Sequence, residues 1–142
     1  MRLNSDEKYV LDLIAEILNE SYEWQKRFDG LYGDPGKIGR KVKLPVDAYF
    51  PISNLIVEYK EKQHFESVQV MDKRMTVSGV NRGGQRKIYD SRKEKWAIDN
   101  NYKFLAVSFS DLAHKNNGRL IRDDIYDRAI VKKLMENVVG RY

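Results

Sequence analysis

The pattern of apolar residues in this chain predicts an α/β domain, on three observations. Val10, Leu11, Leu13, Ile14, Ile17 and Leu18 recur at helical spacing. Two short apolar segments, "KLPVDAYF" and "LIVEYK", flank the turn-forming "PISN", as in a β-hairpin. A polar segment with helical spacing, residues 85–99, then leads into the unbroken apolar run "YKFLAVSFS". The order helix, strands, helix, strand, helix contains no linker or repeat, so residues 1–142 read as a single domain.

The first helix starts at Asn4 or Ser5, where Asp6 and Glu7 favour the positive end of a helix dipole, and runs to about Asn19. Glu16 and Glu20, four residues apart, share a face beside Leu13 and Ile17. Between residues 22 and 40 the pattern dissolves. Gly30, Gly33, Gly36 and Gly39 with Pro35 argue against any continuous helix or strand there. Trp24, Phe28 and Tyr32 alternate with Lys26, Arg27, Lys37 and Arg40, which suits either a loop lying along a phosphate backbone or a surface excursion with two rings tucked inwards. Lys43–Phe50 and Leu55–Lys60 form the hairpin strands, and residues 68–80 read as extended. Ile88, Arg92, Lys95, Trp96 and Asp99 set the spacing of the second long helix. The run at 102–110 has the length and composition of a central strand buried on both faces. Asp111 begins a short helix, and a last amphipathic helix at 121–139 presents Ile125, Ala129, Ile130, Leu134 and Val138.

Composition narrows the functional classes. With 142 residues the chain can bury a core without covalent staples. It has no cysteine, which excludes disulfides, thiolate zinc sites and cysteine nucleophiles. Its two histidines, His64 and His114, are far apart, and His114 sits in a polar loop. Gly83-Gly84 matches neither a phosphate-binding loop nor a dinucleotide fingerprint. No apolar run reaches membrane-spanning length and the first twenty residues lack a secretory pattern, so a cytoplasmic protein with no membrane partner is expected. The net charge of +5 is unevenly spread: residues 24–95 carry 16 basic and 9 acidic groups, whereas residues 1–23 carry 2 and 6. A basic middle built around carboxylates suits a polyanionic substrate approached through a cation site.

That middle contains Asp47 and Glu58, with ten residues between them, and Lys60 two positions further on. A short hairpin sets Asp47 beside Glu58, and period-two alternation gives Glu58 and Lys60 one face. Two neighbouring carboxylates repel unless a cation lies between them. A hard divalent ion is the natural occupant, and Mg2+ fits because it keeps waters and accepts phosphate oxygens. Lys60 beside it would orient a water nucleophile, stabilise phosphate charge or act as a base. The plainer alternative is a cross-strand ion pair on an exposed sheet face, worth about 0.2–1 kcal/mol.

"PVDAYF" followed by "LIVEYK" resembles the signature of the PD-(D/E)XK nuclease superfamily, an aspartate after proline, a hairpin, then glutamate-any-lysine. The resemblance implies a restriction-endonuclease-like core, a mixed β-sheet flanked by helices. It implies Asp47 and Glu58 as metal ligands, the Tyr59 carbonyl as a further ligand, and Lys60 as the catalytic lysine. Val46 stands between Pro45 and Asp47, where the family has them adjacent. A first-helix glutamate usually joins such a site, and Glu16 or Glu20 could fill the place, Glu16 being favoured. "EYKEKQHFESV" and "IYDSRKEKWAIDNNYKFLAVSFSDL" are similar to the small very-short-patch-repair-like branch, with Arg86, Asp90 and Lys93 in corresponding positions. Gln63 and His64 would then support the ligands or contact phosphate. The likeness spans residues 44–112 in short pieces.

The function expected from this resemblance is a metal-dependent DNA endonuclease using Mg2+, with Mn2+ as a substitute. Lys26, Arg27, Arg40, Arg86, Lys87 and Lys93 would contact DNA phosphates. A homodimer joined through its first or last helix would cut both strands. The competing expectation is a catalytically silent nucleic-acid-binding module of the same fold within a larger complex.

Overall fold

In the computed structural model, residues 3–35, 39–62 and 82–140 are described. Helix α1 (Asp6–Leu18) begins at Ser5, whose hydroxyl accepts from the Lys8 N–H at 3.0 Å, and ends at Asn19 in the left-handed conformation. Strand β1 (Glu23–Tyr32) pairs antiparallel with β2 (Lys43–Phe50), and β2 pairs antiparallel with β3 (Leu55–Lys60). Helix α2 (Arg82–Asp99) precedes β4 (Lys103–Ser108), which lies parallel to β3. A single 3-10 turn (Phe109–Asp111) and helix α3 (Asp124–Glu136) complete the chain. The result is a four-stranded mixed sheet in the order β1-β2-β3-β4, flanked by helices. Among the described residues no helix is long and apolar enough to cross a membrane.

Two apolar clusters occupy the two faces of the sheet. Val10, Leu11 and Ile14 of α1 and Val131 and Met135 of α3 pack on Ala48, Phe50, Leu55, Val57, Leu105 and Val107. On the other face, Ala97 of α2 meets Phe28, Leu31, Val46 and Ile56, with the rings of Tyr49, Trp96, Tyr102 and Phe104 alongside. β3 is the strand buried on both sides, and Leu55–Tyr59 are all buried. β4, expected to be central, pairs only with β3 among the described residues and alternates buried with half-buried positions. Apolar content alone did not distinguish the central strand from its neighbour.

The glycine-rich stretch is a second departure. Residues 23–32 are a strand despite Gly30, because an edge strand tolerates irregularity that a central one does not. Gln25 (φ 53°) and Gly30 (φ 94°) both adopt left-handed backbone, and the register with β2 slips between Arg27 and Tyr32. Gly30 also passes close to α2: a Cβ there would lie 3.3 Å from Trp96 Nε1.

Ile130 and Leu134 of helix α3, and Val138 just past its end, pack against the core as their spacing suggested, but the face is turned so that other positions are the buried ones. Asp127, Val131 and Met135 are its buried positions, whereas Ile125 is 85% exposed. The buried carboxylate is satisfied: Tyr9 Oη donates to Asp127 Oδ2 at 2.6 Å and the Ala113 N–H donates to Oδ1 at 3.0 Å. Burial and this hydrogen bond together push the Tyr9 hydroxyl pKa up. A charged residue had marked the inward face.

Candidate active site

The hairpin register pairs Ala48 with Val57, Tyr49 with Ile56 and Phe50 with Leu55. Carried one step further it sets Asp47 opposite Glu58, but there the backbone ladder gives way to side chains. The Asp47 N–H donates to Glu58 Oε2 at 2.6 Å, and the Tyr59 N–H donates to Asp47 Oδ2 at 2.8 Å. The two acids therefore cross-brace the point where β2 and β3 part.

A change of face along β2 accompanies Asp47. On a regular strand Val46 and Ala48 would share a face. Here Val46 packs in the cluster beneath α2, whereas Ala48 packs beneath α1 and α3. The change of face falls at Asp47, opposite the irregular Gln25 of β1. Val46, which separates Pro45 from Asp47, is thus fully buried core.

Alternation along β3 is regular. Leu55, Val57 and Tyr59 belong to the α1 and α3 side, and Ile56 to the α2 side, which is also where Glu58 and Lys60 find their partners. Lys93 of α2 donates to Glu58 Oε1 at 2.9 Å, and Lys60 Nζ lies 4.0 Å from Asp90 Oδ2. Glu58 is 3% exposed, and both of its oxygens are engaged.

Asp47 is less well compensated. Burial is the main reason its carboxyl pKa is pushed up to about 8, and the charges of Glu58 and Glu7 add to the effect. The Tyr59 N–H and Lys93 oppose it. Among the described residues nothing donates to its Oδ1. A half-buried acid with one unmatched oxygen and two acids nearby has the electrostatics of an incomplete cation site. The described residues contain no group of three or more histidine or acidic side chains that could hold an ion unaided. Mg2+ does not require one, since it binds through one or two carboxylates and completes its shell with water and phosphate oxygens. In kind, Asp47 and Glu58 fit such an ion. Glu58 Oε1 becomes available to it only if Lys93 withdraws.

The first-helix glutamates are elsewhere. Glu16 is exposed and pairs with Arg128 of α3 at 2.8 Å, and Glu20 accepts from the Ser53 N–H at 2.8 Å and from the Ser53 hydroxyl. The expectation that Glu16 joins the pair is therefore corrected. Glu7, in the first turn, is the α1 carboxylate whose charge reaches Asp47, and it accepts from Trp24 Nε1 at 3.0 Å. The sequence signal for Glu7 was its place beside Asp6, read only as support for the helix start.

The basic residues divide as well. Lys93 belongs to the carboxylate pair. Arg86 is half-buried and engaged with neighbours, whereas Lys87 and Arg40 are exposed. Lys26 sits 3.3 Å from Glu23 with its ammonium over the Phe28 ring, and Arg27 donates to the Lys43 carbonyl. Gln63, His64 and the stretch 68–80 lie outside the described residues. His114 bonds to the Leu112 carbonyl through Nδ1 at 2.8 Å and packs edge-on against Phe109. No protein-family model, no curated protein and no solved structure matches this chain.

Proposed function

We propose that this chain is a metal-dependent endonuclease of the PD-(D/E)XK type, with a restriction-endonuclease-like core and DNA as its substrate. One observation carries the reading. Asp47 and Glu58 meet where two strands diverge, Glu58 held by the Asp47 N–H and Asp47 by the Tyr59 N–H, with the Asp47 carboxylate half-buried and no donor to its Oδ1 among the described residues. A protein keeps such a destabilising arrangement where the chemistry needs it.

Asp47 and Glu58 would hold Mg2+, or Mn2+ in its place, with the Tyr59 carbonyl as a further ligand. The ion would supply Lewis acidity, activating water and offsetting charge on the phosphodiester. The Tyr59 N–H fixes the Asp47 carboxylate, and the Asp47 N–H fixes Glu58, so neither acid has to reorganise as charge develops. Lys60, half-buried on the same side of β3 as Glu58, would orient the nucleophile or steady the phosphate. Lys87, Arg40, Lys26 and Arg27 are candidates for phosphate contacts away from the pair. Pairing through the exposed Ile121, Ile125 and Tyr126 of α3 and its approach would join two copies for double-strand cutting.

The test is a panel of labelled duplex, mismatched, single-stranded and four-way DNA, each with Mg2+, Mn2+ or chelator. Metal-dependent cleavage of at least one form is expected, and Glu58→Ala or Lys60→Ala should abolish it while the circular dichroism spectrum stays unchanged. Wild-type-like cutting by either variant would end the proposal. Salt-sensitive binding without any cleavage would identify the silent binding module instead.

A further inference from the structure

Helix α2 lays its charges crosswise over β3. Its lysine, Lys93, sits on the strand's glutamate at 2.9 Å, and its aspartate, Asp90, lies 4.0 Å from the strand's Lys60. Asp90 and Lys93 are three residues apart on the helix, hence neighbours on one face. All four side chains are largely withdrawn from solvent. Apolar docking of α2 is provided elsewhere, by Ala97 and Trp96 against Phe28, Ile56 and Tyr102. The crossed pairs therefore do something other than fill the interface. A carboxylate as buried as Glu58 is costly without a cation, and Lys93 provides one.

We propose that Lys93 is a built-in stand-in for the metal ion, and that ion binding makes α2 exchange partners. The inference rests on the reading of Asp47 and Glu58 as an ion site. A divalent ion that uses Glu58 Oε1 has to displace the ammonium now bonded to that oxygen, because two cations at such short range repel strongly in a desolvated site. Once displaced, Lys93 has Asp90 beside it on the same helix face. By competing for Asp90 it draws that carboxylate away from Lys60, whose ammonium is then available to a phosphate. Lys93 is thus a positioning residue: it offsets the charge of the acids when no ion is bound, and its departure couples ion binding to release of Lys60.

The experiment compares Mn2+ binding by isothermal titration in the wild-type protein, Lys93→Gln, Lys93→Ala and Asp47→Ala, with melting curves in chelator and in Mn2+. Removing the competing ammonium should tighten Mn2+ binding by about tenfold or more in Lys93→Gln. A merely structural lysine would leave affinity unchanged or weaken it. Either of those results, with Mn2+ still binding the wild type, overturns the exchange and leaves the ion site standing. Absence of Mn2+ binding in both wild type and Lys93→Gln, or binding that survives Asp47→Ala, overturns both readings. If Lys93→Ala fails to fold in chelator, recovery of the fold on adding Mn2+ supports the exchange, and failure to recover it overturns it.

Discussion

Asp47→Asn isolates the electrostatic strain at the site. The folded protein raises this carboxyl pKa from 3.8 to about 8. Between those values the native state holds a proton that the unfolded chain has lost, so stability falls as pH rises through the window. The contribution is fully present below about pH 4 and is lost as pH passes about 8. At about 1.4 kcal/mol per unit the displacement sets a ceiling of about 6 kcal/mol. Water reaching the half-buried group reduces this to about 2–3 kcal/mol. Asparagine keeps an oxygen for the Tyr59 N–H but carries no charge. In chelator the variant should therefore match the wild type near pH 4.5 and exceed it by about 2 kcal/mol at pH 8, a melting-temperature gain of about 5–8 °C for a chain of this size. Millimolar Mg2+ should close the gap at pH 8 by stabilising only the wild type. The assay is thermal melting followed by circular dichroism across pH, with and without Mg2+. Parallel pH profiles for the two proteins, or an asparagine variant less stable at pH 8, would refute the reasoning.

Other consequences can be tested by similar means. Gly118→Ala should destabilise by about 2 kcal/mol in urea melts, because Gly118 has φ 89° and a Cβ there would lie 2.7 Å from that of Lys62. Tyr9→Phe removes the hydroxyl that donates to buried Asp127, and should cost about 1–3 kcal/mol by the same measurement. Glu16→Gln breaks only the exposed pair with Arg128, so both stability and metal-dependent cleavage should stay within about 0.5 kcal/mol of wild type. Glu7→Gln removes a charge felt at Asp47 and should shift the pH dependence of stability towards lower pH, as read from paired melting profiles.

How much of this was legible in the sequence depends on the range of the interaction involved. The meeting of Asp47 and Glu58 follows from a four-residue turn and period-two alternation, both local, and the structure brings the two acids together. The change of face at Asp47 was not legible, since it falls beside Gln25 of another strand, whose left-handed backbone the sequence does not announce. Strand β1 was missed because glycine content was weighed without knowing that the segment lies at the sheet edge. Glu16 was favoured over Glu20, and Glu7 was not considered, because helical spacing does not say which end of α1 lies towards Asp47 and which towards the hairpin turn at Ser53. Around α3 the inward packing of Ile130, Leu134 and Val138 was legible, but the burial of Asp127 was not: it reads as a surface residue until Tyr9 and Ala113, distant in sequence, are placed against it. Ile125, the apolar residue that spacing turned inwards, is exposed instead.

Helix α2 is fastened unequally along its length. Ala97, the one buried side chain described on it, and the stacked rings of Trp96 and Tyr102 grip its rear half by oily contact. Its middle, from Asp90 to Lys93, leans on ion pairs, Lys93 with Glu58, Arg92 with Asp34 and, more loosely, Asp90 with Lys60. Such a beam is clamped at its end and tethered at its middle. Because Lys93 and Glu58 are withdrawn from solvent, added salt should screen this tether weakly, and a cation competing for the carboxylates should loosen it far more than ionic strength does.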